Sequence, residues 1–489
     1  MVDAEWKASY SEAIKDIHGD CHFEESAEML RRLIRTKLLK FTDLKENPER
    51  FFEAHRLLLA PGRNSDREGS GFGVRFTVQF NLFAGSVLGL GGPEQVAELD
   101  TMQEKGTLGC FCLTEKFAGV NSGLVVHTTA TWSPERQQFL IESPDRGSVK
   151  NWISQGLTAS RAVVIANLCV NGKFYGPHGF LVDMRDESTG ELKPGVVIED
   201  MGIKTTANDL DNASVEFNKV WVDKSALLNR FADIQDDKYV QTTEEKMRIE
   251  IIGQRLLTGR LAIAEASVIF AQRIFEMARE YAENKPCWAP KGQPQPMLAD
   301  MPQLATILAE ADRKLSSLVQ YNFAVEKRLN SILRENAIPD AAMVEAIAVA
   351  KIKSVQTAID LTDRLRREVG SYALMASSGM QSVAWLSMCA FAEGDTRILM
   401  QKLARDSMKK FKASSWTDTG KEIVFGTSAE QQEMKFRFLL SRALSGAASA
   451  ADSSRLWNEN WELVYGLAEA VCDRYFAEFL GEEKVLSKL

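Results

Sequence analysis

The feature that most constrains this chain is a double change of hydrophobic period along its 489 residues. Helical spacing gives way to strand spacing at about residue 106 and returns near residue 240. In the first region, Glu25 to Lys40 sets Met29, Leu30, Leu33, Ile34, Leu38 and Leu39 on one helical face. In the second, short apolar runs read as strands: Leu124 to Trp132, Gln138 to Ile141, Ala162 to Val170, Gly179 to Val182 and Ala213 to Val222. Turn residues separate them, among them Ser143 to Gly147 and the pair Asn171-Gly172. In the third, Leu257, Leu261, Ala264, Val268, Ala271, Phe275 and Ala278 form a 4-3-4-3 stripe on one long helix. The proline-rich stretch Pro286 to Pro296 ends that helix, and Met343 to Val369 repeats the pattern. Ala413 to Thr427 reads as a loop and Asn458 to Leu480 as a further amphipathic helix. The prediction is an α+β chain with four parts. They are a helical domain (1–105), a β-sandwich or barrel (106–230), an α-bundle (231–410) and additional C-terminal helices (411–489).

Composition narrows the chemistry. Hydrophobic residues make up 45% of the chain, enough for a large core. The formal charge of −8 offers no global field for polyphosphate, which argues against nucleic-acid partners. The seven cysteines are too dispersed for a disulfide framework and point to a reducing compartment. No secretory signal is visible at the N-terminus. The most apolar stretch, Phe76 to Gly92, is broken by Gln79, Asn81 and glycines. It reads as a buried helix and not as a membrane span of about 20 apolar residues. His18, Cys21 and His22 fit no common zinc spacing, so no metal is expected. Cys110 and Cys112 would point to one side of a strand as core packing. Fingerprints for a Rossmann fold, a phosphate loop and a nucleophile elbow are all missing.

Several short blocks stand out instead. G-C-F-C-L-T-E runs from Gly109 to Glu115 and is followed by Gly119, Asn121 and Gly123. H-T-T-A-T-W-S-P-E-R-Q-Q-F-L-I runs from His127 to Ile141. Further blocks are Trp152 to Gly156, Asp200 to Lys204, Asp211 to Phe217, and F-A-E-G-D from Phe391 to Asp395. In this order and spacing, over about residues 80 to 410, the chain resembles the acyl-CoA oxidase and acyl-CoA dehydrogenase superfamily, and within it the peroxisomal oxidases. The resemblance implies a helical domain, a β domain and a four-helix bundle, in the order that the periods give independently. The stretch after Asp395 is short for such an oxidase and leans towards the dehydrogenases.

The resemblance also implies a chemistry. Desaturating a thioester next to its carbonyl removes an α-proton and a β-hydride. A partly desolvated carboxylate takes the proton, a role that falls to Glu393. Phe391, Ala392 and Gly394 flank it as apolar or small residues suited to such a pocket. The hydride needs an electron sink that no side chain supplies, so FAD is implied. Trp152, on its own a buried aromatic, would pack on the isoalloxazine. Thr114 and Ser154 would offer hydrogen bonds to its polar edge, with the backbone N–H of Glu393 and a ribityl hydroxyl holding the enolate oxygen. Lys285 and Gln303 would reach a neighbouring subunit's FAD, which implies a homodimer or homotetramer. Gly370 and Asp395 complete the expected cofactor contacts. Ser122 and Arg260 are candidate substrate contacts, as Arg255 is for the CoA phosphates.

Three departures from the family pattern accompany this. Lys116, Phe117 and Val120 stand where small or hydroxylated residues are usual. Lys285 replaces an arginine and loses its bidentate fork. The glycine-rich turn before the base is reduced to Gly370, Ser371 and Tyr372.

The expectation is an FAD-dependent oxidation of acyl-CoA to trans-2-enoyl-CoA with molecular oxygen as acceptor. A dehydrogenase using a protein acceptor and a degenerate acyl-CoA binder are the alternatives. The last residues, Ser487, Lys488 and Leu489, form an S-K-L tail of the kind read by the peroxisomal import receptor.

Overall fold

The computed structural model describes residues 2–59, 71–119, 126–244, 249–411 and 428–486. Val120, Ser122, the 413–427 loop and the S-K-L tail lie outside them, as does the side chain of Arg255.

The N-terminal part is helical, with helices at Ala4–Ala13, Phe23–Arg35, Pro48–Leu59 and Pro93–Lys105 among others. The apolar stretch from Phe72 to Leu90 is a continuous buried helix whose middle, Val78–Ala84, widens to a π-helix. Gln79 gives that stretch a second function. Its amide donates to the Thr107 carbonyl at 3.0 Å and accepts the Gly109 N–H at 2.9 Å. The helix is thereby fastened to the first strand.

The strands are β1 (Gly109–Cys112), β2 (Thr129–Ser133), β3 (Gln138–Glu142), β4 (Lys150–Ser154), β5 (Arg161–Val170), β6 (Lys173–Asp183), β7 (Val196–Asp200), β8 (Asn212–Phe217), β9 (Val220–Asp223), β10 (Ala232–Gln235) and β11 (Lys238–Gln241). A six-stranded sheet has the order β1-β5-β2-β3-β9, with β6 on the other edge of β5. Strands β1 and β2 share one edge of β5 end to end, β1 against Arg161–Val164 and β2 against Asn167–Cys169. A three-stranded sheet, β4-β8-β7, packs over it, and Cys110, Phe139, Ile141, Ile153, Val164, Val215 and Phe217 fill the space between. The β domain is therefore a sandwich.

Two expectations change here. The run Ala213 to Val222 is not one strand but parts of β8 and β9, which lie in different sheets. The chain turns between them at Lys219, in the left-handed region with φ 58°. The β7 strand and the β10–β11 hairpin were not foreseen. Cys110 and Cys112 do share a side, both buried, with their sulfurs 3.8 Å apart.

The bundle consists of long helices at Gln254–Glu283, Pro302–Arg334 and Ala341–Glu368, with Ala384–Phe391 and Thr396–Lys410 completing it. The predicted stripe from Leu257 to Ala278 is buried throughout. Helices Ser428–Leu444, Ala450–Glu459 and Trp461–Leu486 pack onto its flank, burying Leu440, Val464, Leu467 and Val471. No described helix is long and apolar enough to cross a membrane.

A buried ion pair sits in the seam between the helical domain and the sandwich. Arg75, fully buried, donates to Ser26 Oγ, Gln155 Oε1, Thr158 Oγ1, the carbonyls of Phe23 and Asp209, and Asp211 Oδ1. Asp211 in turn accepts the Leu157 N–H at 2.7 Å. The Asp211 block is thus an anchor for the seam.

Candidate active site

The bundle contributes the first group, the Glu393 carboxylate. Helix Ala384–Phe391 stops at Ala392, and the next helix starts only after Asp395 caps it by accepting the Arg397 N–H at 2.7 Å. Glu393 and Gly394 lie in this break with φ of 57° and 102°. Positive φ is ordinary for glycine and uncommon for glutamate, and such strain concentrates at functional sites. The break turns the Glu393 side chain inward against Gly259 of the long helix. A Cβ on Gly259 would fall 2.3 Å from the Glu393 Cδ and Oε2. Only a glycine leaves room for the carboxylate.

That carboxylate lies in the interior, and its Oε2 is buried without a hydrogen-bond partner. Burial pushes its pKa up to about 7, against the pull of the nearby Lys351 and Arg260 cations. Desolvation outweighs the attraction of two positive charges. A group held near neutrality, with a free lone pair, is suited to accept a proton.

Two cations hold the turn, Lys351 fully buried and Arg260 half-buried. Arg260 Nε donates to the Glu393 carbonyl at 3.1 Å, and Lys351 Nζ donates to the carbonyls of Ala392 and Gly394. Arg260, expected as a substrate contact, therefore directs its guanidinium to the base segment. Phe391, expected to flank the pocket, is 63% exposed and points away from the core. The reason is its place at the end of a short helix, where it follows the outer face.

Two residues here escaped the sequence reading. Gly259 interrupts a helix in which glycine costs about 1 kcal/mol relative to alanine. Lys351 sits between Ile347 and Val355 on a buried stripe. Each anomaly was a signal.

The sandwich contributes a second group. Strand β4 carries an irregularity between Lys150 and Ile153, and Trp152 within it has φ 57°. A bulge re-aims its side chain, and Trp152 is 57% exposed rather than the core aromatic that it resembles in isolation. Thr114 lies alongside, its carbonyl accepting the Asn151 N–H at 2.9 Å. Ser154 Oγ accepts from Asn212 at 3.1 Å. The neighbouring Glu115 is structural. Fully buried, it accepts the N–H groups of His127 and Thr128 and pairs with Lys150 Nζ at 2.9 Å. Phe117 folds its ring over Gly147, where an added Cβ would meet it at 2.1 Å.

A third group collects at one end of the bundle. Leu298 N–H donates to the Lys285 carbonyl at 2.8 Å, closing the Pro286–Pro296 excursion. Tyr281 and Tyr372 stack with centroids 3.8 Å apart, which ties this end to the Gly370 turn. Lys285, Gln303 and Gly370 are all exposed, and Gly370 has φ 64° with open space around it. Trp288, Leu374 and Met375 are exposed apolar side chains of the same loops. Among the described residues, no His, Cys, Asp or Glu cluster could hold a metal.

No protein-family model matches the chain. An acyl-coenzyme A oxidase of Kluyveromyces lactis is 30% identical over 366 residues, which is 70% of this chain and 49% of that protein. The protein named acyl-coenzyme A oxidase 2, peroxisomal, of Arabidopsis thaliana is 28% identical over 81% of this chain and 58% of its own length. In sequence the chain is similar to acyl-CoA oxidases over about 70% of its length. It spans about half the length of the curated relatives it matches. The solved acyl-CoA oxidase 1 of Arabidopsis thaliana has the same fold, with a TM-score of 0.77 and 20% identity over 98% of this chain and 77% of that one. Acyl-CoA oxidase-2 of Caenorhabditis elegans, a structure bound with FAD, ascaroside-CoA and ATP, gives a TM-score of 0.76 at 18% identity, over 97% of this chain and 75% of that one. Sequence similarity and fold therefore agree with the α-β-α order read from the periods.

Proposed function

We propose that the chain oxidises a fatty acyl-CoA to its trans-2-enoyl-CoA, with FAD as cofactor and molecular oxygen as the acceptor that becomes hydrogen peroxide. The observation that carries this reading is the Glu393 carboxylate: buried, unpartnered at Oε2 and held near neutral pKa within the F-A-E-G-D block. FAD, when bound, supplies the acceptor for the β-hydride.

The chain's own residues do the rest. Glu393 Oε2 takes the α-proton from the thioester, and the backbone N–H of Glu393 would donate to the enolate oxygen. The residues present suit a flat aromatic cofactor. Trp152 offers a largely exposed ring on a fixed bulge, and Thr114 and Ser154 lie on the same edge of the sandwich. Trp152 would cover one face of the isoalloxazine, while Thr114 and Ser154 would hydrogen-bond its polar edge. Gly370 and Asp395 remain proposed neighbours of the cofactor, with the Asp395 carboxylate acting as a helix cap. Substrate contacts are assigned to Ser122, outside the described residues, and to Arg260 through the base turn. The exposed Lys285 and Gln303, beside exposed Trp288, Leu374 and Met375, suit contact with a second copy's cofactor. A homodimer or dimer of dimers follows.

The flavin-loaded protein, sized as such an oligomer by light scattering, is expected to form enoyl-CoA and hydrogen peroxide one for one from acyl-CoA and air. Without oxygen, acyl-CoA should bleach its flavin band. Enoyl-CoA formed only on adding a dye or flavoprotein acceptor would replace the oxidase with a dehydrogenase. An unbleached flavin would leave a binder.

The S-K-L tail and a relative named as peroxisomal support residence in the peroxisome through the import receptor. Removing Ser487 to Leu489 should leave an active but cytosolic protein, and continued import of the truncated chain would refute the address.

A further inference from the structure

Three consecutive carbonyls, those of Ala392, Glu393 and Gly394, lie in the gap between two helices. Carbonyls past a helix end lack the intrahelical partners that satisfy them elsewhere. Each of the three receives a bond from a cationic side chain. Arg260 serves the middle one, and Lys351 serves the two on either side. Lys351 itself is fully buried in the Ala341–Glu368 helix.

Burying an ammonium is costly unless it is well bonded. Here burial and the neighbouring Arg260 pull the Lys351 pKa down to about 7, while Glu393, Cys389 and Asp395 oppose them. Those are the titratable groups facing it from the long Gln254–Glu283 helix, the base turn and the Ala384–Phe391 helix. A lysine there merely to fill space would be better replaced by methionine. A lysine there to neutralise Glu393 would bond its carboxylate, yet Oε2 stays unpartnered. The donor instead spans the turn that gives Glu393 its positive φ.

We propose that Lys351 is a positioning residue for the proton abstraction: its ammonium binds the two carbonyls flanking the base and so fixes the backbone turn that aims the Glu393 carboxylate. This rests on Glu393 being the base. The bonds of Lys351 go to backbone carbonyls and not to the Glu393 carboxylate. It acts through the turn, and its charge also lowers the pH at which Glu393 ionises.

The test compares wild type, Lys351→Met, Lys351→Arg and Glu393→Gln as flavin-loaded proteins of matched flavin content. The rate of flavin reduction by acyl-CoA without oxygen is followed against pH. Lys351→Met is expected to reduce its flavin about 10²-fold more slowly with KM little changed, as a misaimed catalytic group does. Its pH midpoint should move upward, because a neighbouring positive charge is gone. Lys351→Arg, which keeps the charge, should recover most of the rate. An infrared titration of the Glu393 carboxyl band, assigned by its loss in Glu393→Gln, should show the same upward shift independently of turnover. Should Lys351→Met fail to fold, Lys351→Gln takes its place in both measurements.

Wild-type rate and midpoint in the neutral Lys351 variant, with Glu393→Gln inactive, would overturn this inference alone. Wild-type flavin reduction in Glu393→Gln would overturn the base and the inference together.

Discussion

Glu393→Gln is expected to fold, to bind flavin and an acyl-CoA analogue, and to turn over at least about 10²–10⁴-fold more slowly than wild type. Glutamine keeps the shape and volume of the side chain, so its fit against Gly259 is retained. What it removes is the proton acceptor. At about 1.4 kcal/mol per decade, the loss is about 3–6 kcal/mol of transition-state stabilisation. The pH dependence follows from the same group. Its carboxyl is held at about 7 and must be ionised to accept a proton. Ionisation of this carboxyl should therefore raise the kcat/KM of wild type as pH passes upward through about 7, while loss of the Lys351 ammonium, also held at about 7, opposes the rise at higher pH. The variant should show no such limb. Stopped-flow flavin reduction across pH checks both, and a wild-type rate in Glu393→Gln would remove this residue from the chemistry.

Gly259→Ala should separate stability from activity. The added Cβ would sit 2.3 Å from the Glu393 carboxylate, nearer than any real contact allows, so something must move. The nearest atoms are the far end of a flexible side chain. The carboxylate swings aside and the helix stays. Gly259 is in the interior of Gln254–Glu283, where alanine is favoured over glycine by about 1 kcal/mol. The melting temperature should hold or rise slightly, while flavin reduction falls by about 10²-fold from misplacement of the base. Calorimetry and single-turnover kinetics on one preparation check it. Full activity in this variant would mean that the carboxylate reacts from another position.

The long helices were legible because burial repeats every three to four residues, and all seven stripe positions from Leu257 to Ala278 are buried. The β region was legible as a class but not in detail. Nothing between Phe217 and Val220 is glycine or proline, so a turn built on left-handed Lys219 left no mark. Glu393 was legible as the candidate base from its block of neighbours. Its surroundings were not, because lysine and arginine default to the surface in any reading of a sequence. Lys351 and Arg260 reverse that default by finding backbone carbonyls inside. Phe391 reverses the complementary one, an apolar side chain left outside by a helix that ends too soon. Trp152 was named through its block, but its exposure was not legible, because a bulge of one strand decides which way its ring faces.

Arg75 has a consequence for how the chain can be divided. Its six bonds join Phe23 and Ser26 at one end of the sequence to Gln155, Thr158, Asp209 and Asp211 well over a hundred residues later. A buried ion that loses some of these partners keeps its desolvation cost without the compensation. Neither side of the seam can open while leaving the other content. The change of hydrophobic period near residue 106 marks a border in composition, but mechanically the helical domain and the sandwich are one body. A fragment cut at that border would carry a stranded arginine or stranded carboxylates.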